Sequence, residues 1–289
     1  MHFVNAKGIL SAKNGMNFYR GCTHGCIYCD ARSVCYNMTH AFEDVEVKQN
    51  APELLEDALR RRRKKCMIGT GAMCDPYLHC EKRLGLTRRC LEIIERYGFG
   101  VTILTKSDRV LRDIDLLERI NRQAKCVVQM TLTTFDETLC RVVEPNVSTT
   151  RRRYEVLKIM RERGIPTVVW LTPILPYIND TEENLRGILG YCFDAGVRGI
   201  VCFDMGVTLR DGDREYFYAA LDRHFPGMKL RYCQRYGNAY ECQSDNNAYL
   251  MRIFHEACEA HGVMHDIGQI FDWLHEFPEV DGQLRFDFT

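Results

Sequence analysis

The chain has 289 residues, 15 cysteines, and 39 basic against 39 acidic side chains. A chain this long buries a large core without disulfides, and an odd cysteine count does not suit a small stapled secreted scaffold. Zero net charge excludes a globally basic nucleic-acid binder but leaves room for a local basic groove.

Taken in chain order, apolar β-rich runs alternate with segments of helical period. No basic segment followed by an apolar run opens the chain, so no signal peptide is expected. Met16–Tyr19 reads as the first strand. Asn50 offers an N-cap, and Pro52 and Glu53 a favourable first turn, for a helix over Ala51–Lys65. Cys66–Gly69 is the second strand, and Thr87 caps a helix over Thr87–Tyr97. Strand Val101–Thr105 precedes helix Val110–Asn121, and strand Val127–Leu132 precedes helix Thr149–Arg163. Strand Thr167–Thr172 precedes helix Glu182–Ala195, which Gly196 closes. Strand Gly199–Phe203 and a helix near Asp213–His224 complete the series. Six strand–helix units predict an α/β parallel sheet with helices outside, as an open doubly wound sheet or a partial barrel. The longest apolar stretch, Ile165–Ile178, is broken by Pro166, Pro173 and Pro176, so no membrane-spanning helix is expected, and the protein is expected to be cytoplasmic. Beyond about residue 205 the rhythm changes to irregular, aromatic-rich sequence with one helix near Asn246–Ala260. The expected division is a barrel over 1–205 and an irregular, helical C-terminal extension over 206–289 packed on it.

The chemistry concentrates in Gly21-Cys22-Thr23-His24-Gly25-Cys26-Ile27-Tyr28-Cys29-Asp30-Ala31-Arg32. Three cysteines within eight residues, beside glycines, are not core packing. The loop follows the first strand, and loops at carboxyl ends of parallel strands carry active sites in such folds. Three thiolates on one loop can hold three irons of a four-iron cluster and leave the fourth open. A zinc site, with His24, Cys35 or His40 as fourth ligand, is the competing reading.

With its aromatic before the third cysteine, this C-x3-C-x2-C segment resembles the radical S-adenosylmethionine (SAM) enzymes. The longer form Gly-Cys-x-His-x-Cys-x-Tyr-Cys-x-Ala-Arg resembles their spore photoproduct lyase-like branch, a DNA repair family. Further matching segments are Gly69-Thr70, Asp75-Pro76-Tyr77, Glu81, Leu86-Thr87-Arg88, Thr105-Lys106-Ser107, Arg112–Asp115, Glu144-Pro145 and Pro173–Pro176. The resemblance covers roughly residues 15–205. It implies a partial (β/α)6 TIM-like barrel, a [4Fe-4S] cluster on Cys22, Cys26 and Cys29, and SAM on the open iron. It implies a 5′-deoxyadenosyl radical that abstracts hydrogen, on a lyase or oxidoreductase path. A reductant such as flavodoxin or ferredoxin is the implied partner, and a base or lesion in DNA or RNA the implied substrate. A peptide or small-molecule substrate, or a non-catalytic iron–sulfur or zinc-binding role, is the alternative.

The same resemblance nominates cofactor contacts. They are Tyr28, Gly69, Thr70, Lys106, Ser107, Thr131, Glu144, Thr172 and Pro173. Lys106 is the expected partner of the SAM carboxylate. Cys74 and Tyr77 are the catalytic candidates. The branch carries a hydrogen-donor cysteine after its second strand, where alignment here places Ala72, with Cys74 two residues on. Arg61, Arg62, Arg63 and Lys64 form the nucleic-acid candidate, within Arg60–Lys65, with Arg151–Arg153 as a second basic run. Cys233, Cys242 and Cys258, with His255, His261 and His265, are a conceivable auxiliary metal site at wide spacing. Cys66, Cys90, Cys126, Cys192 and Cys202 lie in apolar segments and are expected in the core.

Overall fold

The computed structural model describes residues 1–278. Six parallel strands hydrogen-bond side by side in chain order. They are β1 (Gly15–Met16), β2 (Met67–Thr70), β3 (Gly100–Thr105), β4 (Cys126–Thr131), β5 (Thr167–Trp170) and β6 (Gly199–Val201). Strands β1 and β6 end the row without pairing with each other, which makes a partial TIM-like barrel. The longer helices between them are α1 (Ala51–Arg60), α2 (Leu86–Arg96), α3 (Ile114–Gln123), α4 (Thr150–Glu162) and α5 (Glu182–Ala195). Strand residues such as Val101, Ile103, Val128 and Val169 are wholly buried, as parallel strands covered on both faces must be.

Local chemistry sets most boundaries. Thr149 and Thr181 accept hydrogen bonds from Arg152 and Asn184 backbone amides and so start α4 and α5. Gly196 closes α5 at φ 62°, a left-handed cap. Five expectations need correction. The first strand divides: Gly15–Met16 stays in the barrel, while Tyr19–Arg20 joins a small sheet with His2–Val4 and Glu46–Lys48. Thr87 does not cap α2. Its hydroxyl donates to Pro76 O at 2.5 Å, and the buried Glu81 carboxylate instead takes the Leu86 and Thr87 amides at 3.1 Å each. Asn50 stands at the N-cap of α1, but its side chain bonds Ala6 N and O, tying the N-terminal strand to the helix. Helix α1 also ends at Arg60, so the basic run is loop, and Asp108–Asp113 is a tight 3-10 turn ahead of α3.

After β6, Gly206–Thr208 pairs antiparallel with Glu241–Gln243. Helices α6 (Asp213–His224), α7 (Met228–Tyr236), α8 (Asn247–Ala260) and α9 (Ile267–His275) follow in order. Val207, Leu209, Phe217, Leu221 and Tyr232 share a buried cluster with Cys26, Ile27 and Tyr28. Ile270 and Leu274 cover Val127, Val168 and Val201. Each such side chain contributes roughly 1.5–3 kcal/mol of burial. The last part of the expected extension, 279–289, lies outside the described residues. No helix among the described residues is long and apolar enough to cross a membrane.

Candidate functional site

A cavity of about 670 Å³ opens at the carboxyl ends of the strands. The cysteine loop forms one wall, presenting Cys22, Cys26 and Cys29 as free thiols. Gly21 and Gly25 turn this loop at φ 82° and 72°. A Cβ on Gly21 would sit 2.4 Å from Phe42 O, so only glycine fits where the loop passes its support. Backbone bonds hold the loop from behind: Cys22 N to Phe42 O at 2.9 Å, Ile27 N to Val143 O at 3.0 Å and Asn146 N to His24 O at 3.1 Å. A hydrogen bond with Cys74, then contacts with His24, hold the Cys22 thiol well below its ordinary pKa. Burial pushes Cys26 well up and Cys29 up to about 11, against the opposing charge of Lys106. Burial thus favours the protonated form of Cys26 and Cys29, and a bound cation such as iron would offset the desolvation of their thiolates. The three thiols sit on one short loop and face the same cavity as the Lys106 ammonium, a donor set that a four-iron cluster with one open iron accepts. The donor set therefore suits a cluster better than zinc.

Asp75 joins the loops after β1, β2 and β3. Its Oδ1 accepts from Tyr77 N and Thr105 Oγ1, each at 2.8 Å, and its Oδ2 from Lys106 N at 2.7 Å. Oδ2 also faces His24 Nδ1 at 3.6 Å. The backbone of Lys106 is thus fixed, while its ammonium makes no hydrogen bond or ion pair with a described residue. Burial works against that charge, but Cys26, Glu144 and Cys29 raise the Lys106 pKa above its ordinary value. Its Nζ lies 5.8 Å from the Tyr28 ring centre.

Behind Tyr28 sits a buried trio. The Tyr28 hydroxyl donates to Glu144, and Arg153 pairs with the same carboxylate. Arg153 also donates to Thr131 O at 2.6 Å, so it joins the Tyr28 wall to the end of β4. Burial alone would raise the Glu144 carboxyl, but the charges of Arg153 and Lys106 take it below its usual range. Arg153 was visible in the sequence only as part of a basic run. Its neighbours explain the run: Arg152 pairs with Asp108 at 2.9 Å, and only Arg151 is left largely in solvent.

The structure sorts the remaining nominees. Thr131, Thr172, Pro173 and Cys74 line the cavity, and the Cys74 thiol donates to Gly21 O at 2.8 Å. Tyr77 does not line it: the turn made by its amide on Asp75 sends its ring into the core, wholly buried. Ser107 is also turned away, its hydroxyl capping the 3-10 turn by accepting from Arg109 N. Gly69 and Thr70 lie within β2, and Gly71 is the glycine on the wall. Arg61–Lys64 lie between α1 and β2, at the amino end of the strands. Arg62 reaches Asn14, just before β1, and the adjoining Lys65 covers Phe99, just before β3. The cavity is at the other end. Cys233, Cys242 and Cys258 do not converge into a metal-holding group, and His40 groups with His2 and Asp44 rather than with the cysteine loop. Trp170, Phe203, Asp204, Tyr240 and Glu241 complete the lining, with no sequence motif to announce them.

The family model of the Radical SAM superfamily matches residues 16–223. An uncharacterized protein of Mycobacterium tuberculosis (strain ATCC 25618 / H37Rv) is 32% identical over 234 residues, 76% of this chain and 66% of that protein. The chain therefore spans a little under two thirds of that relative's length. An uncharacterized protein of Methanocaldococcus jannaschii is 34% identical over 181 residues, 62% of this chain and 67% of that protein. Among solved structures, a spore photoproduct lyase mutant with bound AdoMet and dinucleoside spore photoproduct aligns at TM-score 0.61 and 13% identity, over 86% of this chain and 74% of that one. A second mutant of that lyase aligns at TM-score 0.63 and 14% identity, over 90% and 79%. This last likeness is one of fold.

Proposed function

The chain belongs to the radical SAM superfamily, and from that premise we propose that it abstracts a hydrogen atom from an organic substrate seated in the cavity. One observation carries the reading: three free thiols and an ammonium without a partner among the described residues face the same cavity. Cys22, Cys26 and Cys29 would hold a [4Fe-4S] cluster, and the Lys106 ammonium would pair with the SAM carboxylate. When bound, cluster and SAM together supply a one-electron reductive cleavage whose product takes hydrogen from substrate. The chain's own part is placement and shelter. Tyr28, braced by Glu144 and Arg153, and Thr131, Thr172 and Pro173 shape the SAM side and keep water out. Cys74, on the cavity wall, is the candidate to return a hydrogen atom to the substrate radical. A reductant such as flavodoxin or ferredoxin would supply the electron.

The rings of Trp170, Phe203 and Tyr240 support a planar substrate such as a nucleobase or base lesion. Trp170 is held for this by its indole N–H on Gln129 Oε1 at 2.7 Å. A second reading, a small neutral or cationic molecule or a peptide, is supported by Asp204 and Glu241 in the same lining and by the distance of Arg61–Lys64 from it. Anaerobic reconstitution, then dithionite and SAM, should release 5′-deoxyadenosine, and Cys26→Ala should release none. A wild-type chain showing neither a four-iron signal nor that product sinks the proposal. Deuterated candidate substrates decide between the two substrate classes by which one passes deuterium to 5′-deoxyadenosine. Cys74→Ser should still cleave SAM but lose product formation; unchanged product formation removes the hydrogen-donor role.

A further inference from the structure

A second group of ligand-type side chains lies outside the cavity, on the small sheet behind the cysteine loop. The parallel ladder sets His2 opposite Glu46, and the loop 40–44 returns over its end. His2, His40 and Asp44 each bring one potential ligand atom to within 4.8 Å of the others. A zinc ion at about 2.0–2.1 Å from such atoms would need each to move by less than about 1 Å.

His40 is prepared for this. Its Nδ1 lies 3.0 Å from Ala41 O, and a carbonyl only accepts, so Nδ1 carries the proton. With Nδ1 so engaged, Nε2 is the ring nitrogen left to meet a metal, the arrangement by which an outer hydrogen bond orients a metal-binding histidine. That Nε2 is buried and has no hydrogen-bond partner. A bound cation would give this nitrogen the direct partner that Glu46, at 3.7 Å, does not supply. The rings of His2 and His40 meet edge to face at 4.7 Å between centres. Asp44 Oδ2 is 3.0 Å from His2 Nδ1, its other oxygen pairs with the Met1 amine, and Glu46 lies 3.7 Å from His40 Nε2.

We propose that His2, His40 and Asp44 bind a divalent transition ion of the zinc type, with Glu46 at hand as a fourth ligand. Two imidazoles with carboxylate oxygen form a set suited to zinc rather than to calcium or magnesium. The site is a staple. Phe42, inside the same loop, accepts the Cys22 amide, so a metal there ties the N-terminal strand to the support of the cysteine loop.

The test is metal content of the full chain after exposure to zinc and desalting. Cluster-loaded wild type should retain roughly one zinc per chain. The Cys22→Ala/Cys26→Ala/Cys29→Ala chain should retain it too. His2→Gln and His40→Gln should each lose it, and zinc should raise Tm by several degrees in wild type but not in these two. No zinc on wild type, or undiminished zinc on both histidine variants, overturns the site. Should a variant not fold, cobalt titration of folded wild type reads the ligands directly. Bands of a nitrogen and oxygen set without thiolate charge transfer are expected, and thiolate charge transfer alone overturns the assignment.

Discussion

Asp75 shows how much one carboxylate can organise. It takes two backbone amides and a hydroxyl from separate loops and faces His24 of the cysteine loop. Asp75→Asn replaces an acceptor oxygen with a donor that faces other donors. We expect it to destabilise the cluster-free chain by about 2–4 kcal/mol and to lower iron incorporation. A melting curve and iron content equal to wild type would refute the role. Lys106 is the complementary case, fixed by its backbone and free at its ammonium. Lys106→Met should weaken SAM binding to the cluster-loaded chain by roughly 10- to 100-fold, the worth of one charge-assisted bond, with little change in melting. Unchanged SAM affinity would remove the carboxylate contact. At this scale the sequence showed residue types but not directions. Tyr77 and Ser107 stand beside true cavity residues in the chain, yet one packs inward and the other caps a turn. Arg153 was hidden among neighbouring arginines because burial, which sets it apart, is not a property of a three-residue run.

Among the elements, the loops after the strands matter more than the strands. Gly71 leaves β2 at φ 101°, where a Cβ would lie 1.9 Å from Leu104 O of the neighbouring β3. Gly71→Ala should cost more than about 3 kcal/mol, because strain and clash fall on rigid backbone. Gly85→Ala is the control: φ is 60° there but the space is open, so roughly 1–2 kcal/mol is expected. Denaturant midpoints of the two variants measure the contrast, and equal losses would show that the close approach at Gly71 is not decisive. Helical period and cap chemistry located α5 to the residue, and the helix expected near Asp213–His224 is α6. They failed at α2, because its N-terminus is capped by Glu81 from outside the helix rather than by Thr87. The β-rich run read as the first strand also hid a division, since its two halves join different sheets.

Over the whole molecule, the segment after β6 is part of the site's wall rather than an appendage. Phe217 and Tyr232 are wholly buried in the cluster that also holds Cys26, Ile27 and Tyr28, and the Tyr232 hydroxyl reaches Pro176 O at 2.9 Å. Phe217→Ala should therefore cost about 3–5 kcal/mol and also speed loss of iron to a chelator. Lower stability with an unchanged rate of iron loss would show that the cover and the cysteine loop are not coupled. The zero net charge also finds a spatial reading. The basic run Arg61–Lys64 lies at the amino end of the strands, while acidic Asp204 and Glu241 stand at the cavity.

The amino-acid sequence by itself determined the strand–helix alternation, the cysteine loop and the family, since periodicity and a compact motif are local and survive without coordinates. Only the tertiary structure decided which nominated residues share a space. The wall of Trp170, Phe203 and Tyr240, the Asp75 junction, the Arg153–Glu144 pair and the convergence of His2, His40 and Asp44 all join residues far apart in the chain. Barrel curvature and burial make those meetings, and neither can be read from spacing along the chain.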